Sequence, residues 1–174
     1  MRRLFLLRHA KSSWKTEGQD DFDRPLSPRG RKSAPVMGAF LRDADIAPDL
    51  ILCSTACRAR ETLALVLPFL RGEATIQLED RLYLASAAKL FARLKQLDGA
   101  WQRVMVVAHN PGLQDLALML SAEDKTGNRQ AVESKLSTGA LVQIDCPVTQ
   151  WSALARQDGQ ITRLVTPRSL AADD

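Results

Sequence analysis

Leu4-Phe5-Leu6-Leu7 runs directly into Arg8-His9-Ala10, and Val104-Met105-Val106-Val107-Ala108 runs directly into His109-Asn110-Pro111-Gly112. These are the only two histidines of the chain, and each terminates a short, unbroken apolar run. Such a run, with no polar alternation, is the pattern of a strand buried on both faces, as in a sheet covered by helices on either side. Leu50-Ile51-Leu52-Cys53 is a third run of this kind, followed by Ser54-Thr55.

Between these runs the period lengthens to that of helices. Ser27-Pro28 predicts a helix start, with Ser27 as N-cap and Pro28 at the first helical position. The helix is expected to reach about Arg42, with Val36, Phe40 and Leu41 on its inner face. A second helix is expected from Arg58 to about Leu70, carrying Leu63, Val66, Leu67 and Leu70 at helical spacing. Residues 75–78 read as a short strand, 87–97 as a helix, and 113–120 as the helix after the last apolar run, with Leu116, Met119 and Leu120 as a core stripe. The polar stretch 122–137 reads as a loop with room for a helical turn. Residues 141–144 and 161–165 read as late strands, one at a sheet edge. Alternating strands and helices predict an α/β fold: a three-layer α/β/α domain with a mostly parallel sheet and an antiparallel edge strand. Residues 1–167 are expected to form a single domain, and 168–174 a flexible C-terminal tail.

Composition sets the outer bounds. With 174 residues, 45% hydrophobic and 25% charged, the chain suits one domain with a real core. The net charge of +4 is mild, and the basic residues are spread along the chain, so no nucleic-acid partner is expected. Met1-Arg2-Arg3 and four apolar residues imitate the head of a signal peptide, but Arg8 and His9 cut the run short. No stretch has the length of a membrane span. Three cysteines, Cys53, Cys57 and Cys146, form no disulfide-like pattern, which favours a reducing, cytoplasmic setting. Cys53 and Cys57 with distant histidines make a weak zinc pattern, and buried thiol packing explains them better.

Ligands of open α/β sheets bind beyond the carboxyl ends of the strands. If the three apolar strands are parallel, their exits place Arg8 and His9, Ser54 and Thr55 with Arg58, and His109 on one edge. Two guanidinium forks, two imidazoles and the starts of two helices then converge, a set suited to phosphate oxygens. Neutral imidazole is a nucleophile near neutral pH, and a covalent phosphohistidine splits one displacement into two. Arg8, Arg58 and His109 supply positive charge, so no metal or other cofactor is required. A leaving alkoxide needs a proton donor. Glu79 and Asp80 follow the 75–78 run, and either could serve. Residues 11–14 and Thr138 could line the same pocket or simply shape its loops.

These stretches resemble the histidine phosphatases, the phosphoglycerate-mutase-like superfamily, and within it the SixA-type phosphohistidine phosphatases. Leu7-Arg8-His9-Ala10 is similar to the family's Arg-His-Gly signature. Arg24-Pro25-Leu26-Ser27 with Gly30 resembles its second stretch, and Ser54-Thr55-Ala56-Cys57-Arg58-Ala59-Arg60-Glu61-Thr62 its Ser-x-x-x-Arg-Ala-x-x-Thr element. Val107-Ala108-His109-Asn110 resembles the stretch holding its second histidine. The resemblance runs from Leu4 to about Leu120. It implies a phosphoglycerate-mutase-like fold with His9 as phosphate acceptor, and Arg8, Arg58 and His109 as holders of the phosphoryl oxygens. Aligning Asp80-Arg81-Leu82-Tyr83 with the mutases' Glu-Arg-His-Tyr makes Asp80 the proton donor, with Glu79 one residue off as competitor.

Two departures stand out. Ala10 replaces the signature glycine, and Lys15 stands where many mutases have a phosphate-touching asparagine. The long insertions that form a lid in mutases are missing. An open site suits phosphohistidine on a signalling or phosphotransfer protein. It also suits a small phosphorylated metabolite. A module that binds phosphate without turnover is the reading from another class, and it leaves the nucleophilic pattern at His9 without a purpose.

Overall fold

A computed structural model of the chain describes residues 1–171. Six strands form one sheet: β1 (Arg2–Arg8), β2 (Leu50–Ser54), β3 (Thr75–Glu79), β4 (Arg103–Ala108), β5 (Leu141–Cys146) and β6 (Gln160–Val165). Their spatial order is β3-β2-β4-β1-β5-β6. β1 to β4 are mutually parallel, β5 pairs antiparallel with β1, and the edge strand β6 pairs antiparallel with β5. The helices are α1 (Pro28–Asp43), α2 (Cys57–Val66), α3 (Ala87–Lys95), α4 (Gly112–Leu120), α5 (Asn128–Ser134) and α6 (Pro167–Ala171).

Strand alternation divides the core into two faces. Leu4, Leu6, Leu52, Val104 and Val106 pack with Leu90 and Leu94 of α3 and Leu113 and Leu116 of α4. Phe5, Leu7, Ile51, Met105 and Val107 pack with Met37 and Leu41 of α1 and Leu63 and Val66 of α2. The sheet is therefore the middle layer of three, as its apolar runs predict. Register fixes the site: Leu7 lies beside Val107, and Val107 beside Cys53, so β1, β2 and β4 end together.

Several expectations change in detail. On α1 the buried positions are Gly30, Ala34, Met37, Gly38 and Leu41, while Val36 is exposed and Phe40 is half-buried. The helical period alone leaves two rotations of this helix open, and Gly38 decides between them because its face lies against Phe69. The second helix leaves α geometry at Leu67 and finishes as a 3-10 turn at Leu67–Phe69, where Pro68 has no amide hydrogen to donate. β3 extends to Glu79, so Glu79 belongs to the strand rather than to the loop after it. Within the expected loop 122–137 lies α5. Residues 168–171 of the expected tail are helical, and 172–174 lie outside the described residues. Thr166 and Ser169 exchange side-chain hydrogen bonds with each other's backbone N–H groups, a reciprocal cap with Pro167 as the first helical residue.

Candidate active site

His9 leaves β1 at 5% exposure, and its position is fixed from three sides. Its backbone N–H donates to the Ala108 carbonyl of β4, and its own carbonyl accepts from Gly139 N–H. The next residue's N–H, that of Ala10, donates to Thr62 Oγ1 on α2 at 2.9 Å. Ala10 is fully buried with Leu26 and Ala34, so the methyl group that replaces the signature glycine fills a packed site. Close by, Gly30 allows α1 to approach the loop, since a Cβ there would lie 2.1 Å from the Lys11 carbonyl oxygen.

His9 Nδ1 lies 2.7 Å from the Ala10 carbonyl oxygen. A carbonyl only accepts, so Nδ1 carries the hydrogen and Nε2 keeps its lone pair. Arg58 Nε, from the first turn of α2, lies 3.3 Å from that Nε2. Burial pulls the His9 imidazole from its usual 6.5 down to about 4, the Ala10 carbonyl opposes this, and Arg58, Arg8 and Arg24 lower it further. At neutral pH His9 is therefore uncharged.

The His109 ring centroid lies 5.3 Å from that of His9. Its Nε2 is 2.7 Å from Ser54 Oγ, which also accepts the Ala56 N–H. If the Ser54 hydroxyl gives its hydrogen to Nε2, the one proton of neutral His109 resides on Nδ1. Among the described residues that buried Nδ1 has no partner. Burial, then the neighbouring His9 and Arg58, bring His109 down to about 3. Arg8 is half-buried, donates from Nη1 to the Leu136 carbonyl at 2.8 Å, and leaves its Nε buried without a partner among the described residues. Burial and the charge of Arg58 lower its pKa. The unpartnered His109 Nδ1 and Arg8 Nε are buried polar groups that an oxyanion would satisfy.

Asp21 has no place in the sequence reading, yet it organises one wall. Arg58 donates from Nη1 to the Asp21 carbonyl at 2.6 Å and from Nη2 to its carboxylate at 3.0 Å. The Tyr83 hydroxyl donates to the same carboxylate, and Arg24 Nε lies 3.0 Å from its other oxygen. Burial works to raise the Asp21 pKa, but the hydrogen bonds from Tyr83, Arg58 and Arg24 and the charge of Arg58 outweigh it and hold the carboxyl at about 2. Tyr83 also meets His109 edge to face at 5.5 Å. The one sequence signal is the acidic run Asp20-Asp21-Phe22-Asp23 just before Arg24-Pro25.

The two competing carboxylates separate. Glu79 is held by Arg93 of α3 at 2.7 Å and by Arg81 at 2.7 Å. Asp80 is exposed at the edge where β2 and β3 end, and its Oδ1 accepts from Thr55 Oγ1 at 2.5 Å. Asp80 and Tyr83 line a cavity of about 510 Å³ together with Lys89 and Arg93. The loop after β1 contributes differently. Ser12 accepts from Arg24 at 2.8 Å, and the exposed Trp14 ring stacks on the Arg24 guanidinium at 3.4 Å, so Trp14 anchors a loop. Lys15 is exposed. Among the described residues no three His, Cys, Asp or Glu side chains are grouped to hold a metal. Cys53 and Cys146 are buried thiols that burial pushes up to about 12.

A mostly parallel sheet whose strand ends and following helix deliver two neutral imidazoles and two guanidiniums defines an oxyanion-handling α/β protein. The family described as the histidine phosphatase superfamily (branch 1) matches residues 4–83. An uncharacterized protein of Mycobacterium leprae is 30% identical over 166 residues, 93% of this chain and all of that one. Two solved structures provisionally assigned as phosphohistidine phosphatase SixA are similar over almost the whole length. That from Nakamurella multipartitia is 27% identical with a TM-score of 0.81, covering 95% of this chain and 96% of its own. That from Agrobacterium tumefaciens is 29% identical with a TM-score of 0.79, covering 95% and 98%. The chain belongs to the histidine phosphatase superfamily, and it is an enzyme of the phosphatase class with the SixA-type members as its structural likeness.

Proposed function

We propose that the protein hydrolyses a phosphorylated substrate through a covalent phosphohistidine on His9, and that the substrate is phosphohistidine on a signalling or phosphotransfer protein. The observation that carries the mechanism is the fixed tautomer of His9. Its Nδ1–H is given to the Ala10 carbonyl, so the lone pair of Nε2 faces the space shared with Arg58 and His109.

In the first step that lone pair gives up the hydrogen bond it accepts from Arg58 Nε–H and attacks phosphorus, and the bond to the leaving group breaks. Arg8, Arg58 and the Nδ1–H of His109 hold the equatorial oxygens, where charge is spread in the transition state. Arg58 has five N–H groups: two stay on Asp21, and the one given to His9 Nε2 is released by the attack, so three are available to the phosphoryl group. A leaving alkoxide takes its proton from Asp80. In the second step water attacks phosphorus, the P–N bond to His9 breaks, and Asp80 takes the proton that water releases. The protein's own cations supply the charge, so no step requires a metal.

The phosphohistidine substrate is favoured by leaving-group chemistry. A phosphoramidate expels imidazole more readily than an ester expels an alkoxide, and so it depends less on the exposed Asp80. The chain lacks the long insertions that form a lid in the mutases it resembles, which supports access by a protein substrate. Buried free thiols and no described helix long and apolar enough to cross a membrane fit a cytoplasmic setting. The test is a substrate panel with the Asp80→Asn variant. Loss on phosphomonoesters with turnover of a phosphohistidine peptide retained is the expected result. Equal loss on both, or wild-type turnover of esters only, contradicts the phosphohistidine reading and leaves a small-ester phosphatase.

A further inference from the structure

The 136–139 segment borders two basic spaces. On one side the Leu136 carbonyl holds Arg8, and Gly139 N–H binds the Arg8 and His9 carbonyls. On the other, Ser137 and Thr138 line a separate cavity of about 410 Å³ with Lys11, Arg29, Lys135 and Arg168. These four cations come from four parts of the chain: the loop after β1, the first turn of α1, the residue after α5, and α6. The fold gathers what the sequence scatters.

All four side chains are exposed, and among the described residues no carboxylate lines the cavity and none of the four has an ion pair. Elsewhere on the molecule exposed arginines such as Arg3, Arg42, Arg81 and Arg103 do have carboxylate partners. Like charges converging without a counter-charge repel one another, and a bound anion relieves that repulsion. The basic strip continues beyond this cavity. An adjoining one of about 440 Å³ shares Arg29, Pro167 and Arg168 and adds Lys32. A small phosphoester seated at His9 has no second group to span such a strip, whereas a protein segment does.

We propose that this trough is a docking surface for acidic residues that flank the phosphorylated residue of a protein substrate. It rests on the phosphatase reading above. Lys11, Arg29, Lys135 and Arg168 select the partner by charge, and the cleft beside them carries out the chemistry. Charges of this exposed kind act on encounter rate and specificity and are weakened by salt.

Two phosphohistidine peptides of equal length test this, one flanked by glutamates and one by glutamines, with p-nitrophenyl phosphate as the small substrate. At low ionic strength the acidic peptide is expected to have a kcat/KM about tenfold higher, mainly through KM, and the preference is expected to shrink with added salt. The triple variant Arg29→Glu, Lys135→Glu, Arg168→Glu is expected to lose the preference while its p-nitrophenyl phosphate turnover stays at the wild-type level. The corresponding glutamine variant gives the same reading if the glutamate variant does not fold. Equal kcat/KM for the two peptides, or a preference that survives the triple change, overturns the docking surface. So does binding to phosphatidylglycerol vesicles without any peptide preference, which assigns the trough to a membrane. Wild-type protein that turns over no substrate at all overturns the phosphatase reading instead, so the two failures are distinct.

Discussion

The cleft at His9 and the trough behind the 136–139 segment are both rich in cations, and they are built in opposite ways. In the cleft Arg58 is buried and has three of its donors aimed by protein acceptors, and His9 has its tautomer set by a carbonyl. In the trough every cation is exposed and none is paired among the described residues. Preorganised donors in a desolvated site stabilise a transition state, because nothing has to reorient when charge develops. Solvated, mobile cations steer and discriminate but do little for a chemical step. Substitutions in the cleft should therefore act on kcat, and those in the trough on the choice of partner.

The largest effect expected in the cleft is from His9→Ala, which should lower turnover of every substrate by roughly a thousandfold or more in steady-state assays. Arg58→Ala should lower kcat on the order of a hundredfold, because it removes transition-state donors and the group that faces Nε2. Asp80→Asn should lower kcat for phosphomonoesters by about a hundredfold. Asp21→Ala should lower kcat about tenfold with little change in KM, since Arg58 loses its orientation but keeps its charge. Asp21→Asn, whose amide oxygen still accepts from Arg58, should recover most of that loss. If Asp21→Ala instead raised kcat, the carboxylate would be a competitor for Arg58 rather than its anchor.

The smallest effect concerns stability against pH. His9 and His109 titrate near 4 and 3 in the folded chain and near 6.5 when unfolded. Between those values the unfolded chain binds more protons, so stability should fall as pH drops from about 6.5 toward 3. A bound oxyanion favours the protonated imidazoles, so saturating sulfate should flatten that slope. Thermal melts across this range, with and without sulfate, measure both. A melting temperature flat from pH 6.5 to 4 without ligand would mean that the imidazoles are not buried neutral.

The parts legible in the sequence were those written in contiguous residues. Unbroken apolar runs ending in Arg8-His9, Ser54-Thr55 and Ala108-His109 gave three parallel strands and the edge where they end. Ser27-Pro28 marks a helix start, and Thr166-Pro167 carries the same pair of signals at the start of α6, at the edge of the stretch that reads as tail. What stayed hidden was written in distant pairs. Asp21 looks like one acid in a surface run until Arg58 and Tyr83 close on it from 37 and 62 residues away. Glu79 and Asp80 were equivalent by position, and Arg93, fourteen residues on, separates them. The trough needs four segments that only the sheet and its helices bring together.

The central claim is that His9 carries the phosphoryl group. It is tested most directly by rapid acid-free quenching of the enzyme during turnover of a ³²P-labelled substrate, followed by mapping of the label. An acid-labile, alkali-stable adduct on His9 is expected, forming and decaying at rates compatible with turnover and missing from His9→Ala. Steady turnover with no adduct on His9, or with label on another residue that turns over at the full rate, would contradict it.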